Sequence, residues 1–396
     1  MSLEIVLLDS AAYKDWDDFA NRSDDAWFWH TTHWMAYAQE YVRDRFLTNR
    51  SFLLVEDSKL LAICPVFVER SISPAGAIQY SLAGAPLPFP AMRNDLRNDK
   101  RERVLAKYIK GLDVLARDER IGYVWVRIPS VSKSSMVQQE AWTNPLLKYG
   151  FIDLPYQTQV IDLRKDKEAL WGEIRKGHKS DIKRGEQACR VTVWDNRTVT
   201  PEKFDEYRVL HQKDAGRVTR SKRTFDLMLS WVREGHAILV EASNDTTAVG
   251  FSLVIIFESG AYYGSSCRDP DYPELPVGHL IQWATICWLR DHGFTWYDIG
   301  IQQFGPQWFD QAGPKDFSIS KFKRGFGGRT IPLVTGERFY SKSFLEQTMK
   351  ARWRAYTAAL FQDRVESSTE DRSDGVESDE DAKTELQRSR RPDRTR

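Results

Sequence analysis

The sequence predicts a mixed α/β protein made of two copies of one unit, and three observations carry that prediction. At 396 residues the chain is too long for one ordinary core and suits two domains of roughly 150 to 180 residues plus a tail. A composition of 41% apolar and 29% charged residues is that of a globular chain. The pattern strand, turn, strand, strand, helix, strand then occurs twice along it.

In the first copy, residues 51–70 (SFLLVEDSKLLAICPVFVER) read as two apolar strands around a turn. YSLAG follows, then a helix from about Lys100 to Arg117, then the strand IGYVWVRI. In the second copy, residues 237–257 (AILVEASNDTTAVGFSLVIIF) read as two strands around a turn, followed by AYYGSS, a helix over Val277 to Arg290 and HGFTWYDIG. Gly122-Tyr123-Val124-Trp125 answers Gly293-Phe294-Thr295-Trp296, each just after its helix. The expected domains are 1–157 and 158–362, with mixed sheets flanked by helices.

The second domain is expected to end in a closing helix over Ser341 to Phe361. Phe344, Met349, Trp353, Tyr356 and Leu360 recur there at helical spacing among Lys350, Arg352 and Arg354, the pattern of a docked amphipathic, basic helix. Beyond it, acids outnumber bases ten to three between Asp363 and Glu385, and the last eleven residues are basic. Neither block has the apolar surface to offset ordering entropy, so 363–396 is predicted disordered.

Net charge is +1, so any charge-driven function has to lie in local clusters. Three stand out: Arg175 to Arg184 with five bases and one acid, Lys213 to Arg223 with five bases and one acid, and Lys321, Lys323, Arg324 and Arg329 with no acid among them. Together they point to a phosphate-rich ligand and, if they converge, to one groove. Apolar stretches such as 249–257 fall far short of the roughly 20 residues that cross a bilayer, and the N-terminus lacks an export signal, so no stable membrane insertion and a cytoplasmic location are expected. Four scattered cysteines, Cys64, Cys189, Cys267 and Cys287, fit small core residues rather than a metal centre or disulfide framework. No phosphate-binding loop, dinucleotide fingerprint, nucleophile elbow or zinc-protease motif occurs.

Two segments carry chemistry. Tyr297-Asp298-Ile299-Gly300 places a carboxylate at the carboxyl end of a strand, where open α/β sheets put their sites. Phe322-Lys323-Arg324-Gly325-Phe326-Gly327-Gly328 sets a lysine between aromatic rings before a glycine cluster; the rings lower the local dielectric and strengthen the ammonium's pull on an oxyanion or phosphate. Tyr262, Tyr263 and Trp296 are further candidate walls, whereas His178, His211 and His279 read as structural.

From Trp171 and the basic run to Arg184, through YYGSS and Pro276-Val277-Gly278-His279-Leu280-Ile281-Gln282-Trp283, to YDIG and FKRGFGG, the chain resembles the FemAB-like family. The resemblance covers about 160–340; the first half shares only architecture, with the aromatic helix near Trp34 and the turn at Gly84-Ala85-Pro86-Leu87-Pro88 as anchors. It implies two tandem GNAT-like acyltransferase units moving an aminoacyl group from charged tRNA, or an acyl group, to an amine of a cell-envelope, glycan or peptide precursor. It also implies Lys323, beside Phe322, as the oxyanion donor and Arg217 as the holder of an acceptor phosphate. With Asp298 as candidate proton acceptor, the expected site comprises these four residues together with Tyr263, Lys176, Arg184 and Gly278. No bound cofactor is expected; the donor is aminoacyl-tRNA or acyl-CoA. The helix start at Leu275 to Leu280 keeps one glycine of the acyl-CoA relatives' pyrophosphate loop and loses both ends, which weakens a conventional CoA site. The alternatives are an acyl-CoA-dependent N-acetyltransferase of an amino sugar and a non-catalytic RNA- or glycan-binding module on the same fold.

Overall fold

The computed structural model describes residues 2–41, 45–71, 78–80, 85–137, 144–245 and 247–370. Both expected hairpins form. Phe52–Glu56 and Lys59–Cys64 are joined by Asp57 and Ser58, both at positive φ (49° and 61°), the backbone that matches the strands' right-handed twist. Ala237–Asn244 and Thr247–Phe257 turn through Asp245, also left-handed. The helices of the repeat run over Asn98–Glu119 and Val277–Asp291, the first two residues longer at each end than the sequence pattern indicated.

In the second half, seven strands form one sheet in the order Arg190–Trp194, Ala237–Asn244, Thr247–Phe257, Gly260–Arg268, Trp296–Gln302, Gln157–Asp162 and Arg329–Pro332. All neighbours are antiparallel except Gly260–Arg268 and Trp296–Gln302, which pair in parallel from Gly260↔Trp296 to Tyr262↔Asp298 and then part. In the first half the long hairpin is broken. Pro65 interrupts the strand ladder between Lys59–Cys64 and Phe67–Ser71, and the two pieces belong to different sheets.

The boundary between the halves is an exchange of strands. Ile152–Asp153 joins the first sheet and Gln157–Asp162 the second; on the return, Arg329–Pro332 joins the second and Thr335–Phe339 the first. Thr335–Phe339 pairs antiparallel with Tyr123–Arg127 over five residues. The two crossing segments are tied side by side, with Leu154 N–H donating to the Thr335 carbonyl and Leu333 N–H to that of Tyr156. The expected 158–362 domain is corrected accordingly: 335–339 completes the first half's sheet. The closing helix also lies on the first half, with Phe344 against Gly122 and Tyr123 and Arg352 paired with the buried Glu337. That helix runs over Lys342–Glu370, eight residues into the predicted tail; 371–396, like Gly84, lies outside the described residues.

One apolar core spans both halves, passing from Trp16 and Phe52 through Trp27 and Phe28 to Trp231 and Phe257. Phe28 meets Trp231 edge-on at 5.0 Å and Trp27 meets Phe257 at 5.9 Å; such pairs add about 0.5–1.5 kcal/mol each beyond their burial. A second core, with Ile182, Leu280, Ile286 and Ile299, fills the other face of the seven-stranded sheet beneath helices Lys176–Ala188 and Val277–Asp291. Cys64, Cys189 and Cys267 are buried, and all four cysteines are free.

Candidate active site

The parting of Gly260–Arg268 from Trp296–Gln302 organises the site. On one side a 580 Å³ cleft opens at the first turn of helix Val277–Asp291. That turn has no side-chain cap, so its leading N–H groups remain available to an anion. Tyr263, Gly278, Phe322 and Arg184, four of the residues expected from sequence, line this cleft together with Arg268 and Lys315. Tyr263 donates its hydroxyl to Ser266 at 2.6 Å. The Phe322 ring packs on His178, His279 and Phe326. His178 is buried: it contacts the Phe322 carbonyl through Nε2 at 2.9 Å and Arg175 through Nδ1 at 3.0 Å. A Cβ on Gly325 would lie 2.1 Å from its ring, so the first glycine of the FKRGFGG cluster is the space His178 occupies.

Phe322-Lys323-Arg324 forms the last turn of helix Pro314–Arg324. The Lys323 ammonium lies against Gly300: a Cβ there would stand 2.6 Å from Nζ, and the backbone is left-handed at φ +100°. The glycine of YDIG therefore makes room for the lysine. Asp298 falls in mid-strand, at the end of the parallel pairing and not at the carboxyl end of the strand, and it is 1% exposed. It accepts hydrogen bonds from Ser130 Oγ, from Thr158 Oγ1 at 2.5 Å and from Gly300 N–H at 2.7 Å. Burial pushes this carboxyl above its ordinary range against the opposing pull of those bonds and of Lys323, while burial pulls Lys323 below its own range and Asp298 partly restores it. Three donors thus engage the Asp298 oxygens, and its charge opposes the effect of burial on Lys323.

On the other side of the sheet, a 280 Å³ cleft lies between the halves. Trp29, Trp34, Tyr37, Tyr41, Trp231 and Tyr262 wall it, and Arg127 and Arg220 reach it. Arg220 donates to Ser265 Oγ at 3.2 Å and Arg127 to Thr335 Oγ1 at 3.2 Å; neither forms an ion pair among the described residues. Among the described residues the buried indole N–H of Trp231 has no acceptor, and neither has that of Trp34. A wall rich in donors, with two guanidinium groups partly withdrawn from water, suits an oxyanion. Gly264 also lines the cleft; the register shift that pairs Leu253 with Ser265 but Val254 with Tyr263 leaves it as a bulge outside the strand ladder.

Four expected residues line neither cleft: Asp298 and Lys323, described above, and two exposed ones. Lys176 is exposed on the first turn of its helix, and Arg217 is exposed in the turn after helix Pro201–Ala215. Gly216 ends that helix in a left-handed cap and Ser221 caps the next, so the short link between them delivers Arg220, not Arg217, to the cleft. The basic clusters do not converge on one groove: Lys213 is taken up by Asp269 and Asp271, Lys222 by Asp226, and Arg324 donates to Gln302. Sequence reasoning missed Ser130, Thr158, Arg127 and Arg220; for Arg220 the caps on either side were the available signal.

Residues 172–310, which supply most of the lining of the 580 Å³ cleft and include Asp298, match the family model described as an acetyltransferase (GNAT) domain. The second half has a GNAT-type fold. The GNAT fold also appears in the comparison with solved structures. FemX is similar over 87% of this chain and 100% of its own, at 11% identity and a TM-score of 0.62. L-PGS from Bacillus licheniformis is similar over 89% of this chain and 98% of its own, at 12% identity and a TM-score of 0.55. No curated protein matches the sequence. The GNAT assignment makes acyl transfer the chemistry of this chain, and no helix among the described residues is long and apolar enough to cross a membrane.

Proposed function

We propose that the chain transfers an aminoacyl group from charged tRNA to an amine of a cell-envelope or glycan precursor. The donor end occupies the 580 Å³ cleft and the acceptor the cleft between the halves. The observation that carries the reading is Lys323, whose ammonium lies against Gly300, two residues from the buried Asp298, and whose neighbour Phe322 lines the 580 Å³ cleft. When the amine attacks an ester carbonyl, charge develops on the carbonyl oxygen, and a preorganised cation at low dielectric stabilises it far more than water would. Arg127 and Arg220 suit an acidic group of the acceptor, and the aromatic walls suit a ring face.

Support for a tRNA donor comes from helix Lys176–Ala188. Lys176, Lys179 and Lys183 recur at three- and four-residue spacing along the helix whose Arg184 lines the cleft, Lys176 and Lys183 exposed and Lys179 half-buried, a run of positive charge that suits a polyanion. A second reading, an acyl-CoA donor, is favoured by the uncapped helix start at Val277, which suits a pyrophosphate. Thermal melts of the full chain with acetyl-CoA and, separately, with aminoacyl-tRNA distinguish them. Saturation near 100 times Kd adds about 2.7 kcal/mol. The tRNA reading expects a shift with aminoacyl-tRNA alone, followed by label appearing on an amine acceptor; a shift with acetyl-CoA alone replaces it with the second reading.

A further inference from the structure

The three donors to Asp298 come from three parts of the chain. Gly300 N–H is local to the strand. Thr158 stands in the crossing strand Gln157–Asp162. Ser130 belongs to the first half, three residues after strand Tyr123–Arg127, and its hydroxyl reaches Asp298 because the first half is pressed against the sheet. The fit there is close: a Cβ on Gly260 would lie 2.9 Å from both the Val131 carbonyl oxygen and the Trp27 ring. Ser130 is 8% exposed and Thr158 1%.

We propose that Ser130 and Thr158 are positioning residues that keep Asp298 ionised, so that docking of the first half sets the charge on Lys323. The consequence for catalysis rests on the reading of Lys323 given above; the charge coupling itself does not. A carboxylate buried this deeply stays ionised only while its oxygens are satisfied. Without the Ser130 hydroxyl, one oxygen loses its donor and the carboxyl becomes more basic. Lys323, already weakened by burial, then loses the support of the opposing charge. Both changes favour the state with Lys323 neutral and Asp298 protonated over the state with both charged, one proton exchanging through solvent with no change in net charge. The other ionisable groups facing Asp298 are Arg127 from the first half, Tyr262 on the neighbouring strand and Tyr297 on its own. All three remain in place in a Ser130 variant.

The test reads the lysine directly. Reductive methylation of the full chain with ¹³C-formaldehyde labels its lysines, and the Lys323 signal is the one lost in Lys323→Arg. In Ser130→Ala the Asp298 carboxyl should titrate about one pH unit higher, the size expected for losing one hydrogen bond to a charged group; the Lys323 midpoint should fall with it and should return in Ser130→Thr. Thr158→Val provides an independent variant should Ser130→Ala fail to fold by circular dichroism. In parallel, the pH profile of acyl transfer should narrow from both sides, whereas a merely structural defect scales it without moving its limbs. A Lys323 midpoint unchanged in a folded variant overturns the proposal. If Lys323→Met keeps full turnover, the function proposed above falls while the titration still decides the coupling.

Discussion

The two halves repeat one plan and differ at the place where the plan makes a site. In the first half, Ile78–Tyr80 runs parallel to Tyr123–Arg127 for two residue pairs, and Leu87–Pro88 then comes in and pairs with Val126 and Arg127. The gap is closed by backbone. In the second half, Gly260–Arg268 and Trp296–Gln302 run parallel for three pairs and, among the described residues, no strand enters beyond them; Lys323, Gly300 and the first turn of Val277–Asp291 occupy the surroundings instead. A two-residue strand is thus enough to turn a ligand cleft into a scaffold. Freed of a site of its own, the first half supplies Arg127, Ser130 and the aromatic wall from Trp29 to Tyr41 to its neighbour's site.

The largest expected effect tests whether the halves are separable. Residues 1–156 produced alone lack Thr335–Phe339 from the middle of their sheet, and should give no cooperative thermal transition; a sharp melt would break the account of exchanged strands. Next, Lys323→Met should lower turnover by about 10²-fold or more with its circular dichroism spectrum unchanged, and a mutant with native turnover would remove the second half's claim to the chemistry. Arg220→Gln should raise KM for the acceptor by roughly tenfold with a smaller change in kcat, the cost of one charge-assisted hydrogen bond. Arg217→Gln, three residues away and exposed, should leave both within about twofold, as expected of a surface change.

The smallest effect concerns the seam between the halves. His236 lies against Phe28 and His33 of the first half, and burial pulls its imidazole down to about 4. Because the folded state favours the neutral ring, its contribution to stability is complete above about pH 6.5 and is lost as pH falls toward 4. Tm should decline over that window, and His236→Gln should flatten the decline; equal slopes in the two proteins would place the acid sensitivity elsewhere.

Much of the fold was legible because it is written in local patterns. Alternating apolar runs gave both hairpins, and helical periodicity gave Val277–Asp291 nearly to the residue. The strand exchange left no such mark. Thr335–Phe339 reads as a short strand following Arg329–Pro332, and only the distant pairing with Tyr123–Arg127 reveals which sheet it enters. The site divides in the same way. Phe322, Lys323 and Asp298 stood out by their unusual neighbours, whereas Ser130 and Thr158 are ordinary residues whose role arises from contacts 168 and 140 residues away in sequence. Arg217 and Arg220 sit in one basic cluster, and charge alone could not rank them; the positions of Gly216 and Ser221 could.

The exchange also imposes a timetable on synthesis. When Asp153 leaves the ribosome every residue of the first half's own span exists, yet its sheet must wait for Phe339, another 186 positions along the chain. At about 5–20 residues per second that is roughly 10 to 40 s during which Tyr123–Arg127 presents an unpaired edge. The nascent first half is therefore a client for chaperones at the time its partner is being made, and substitutions that slow completion of the second half would show up as aggregation of the first.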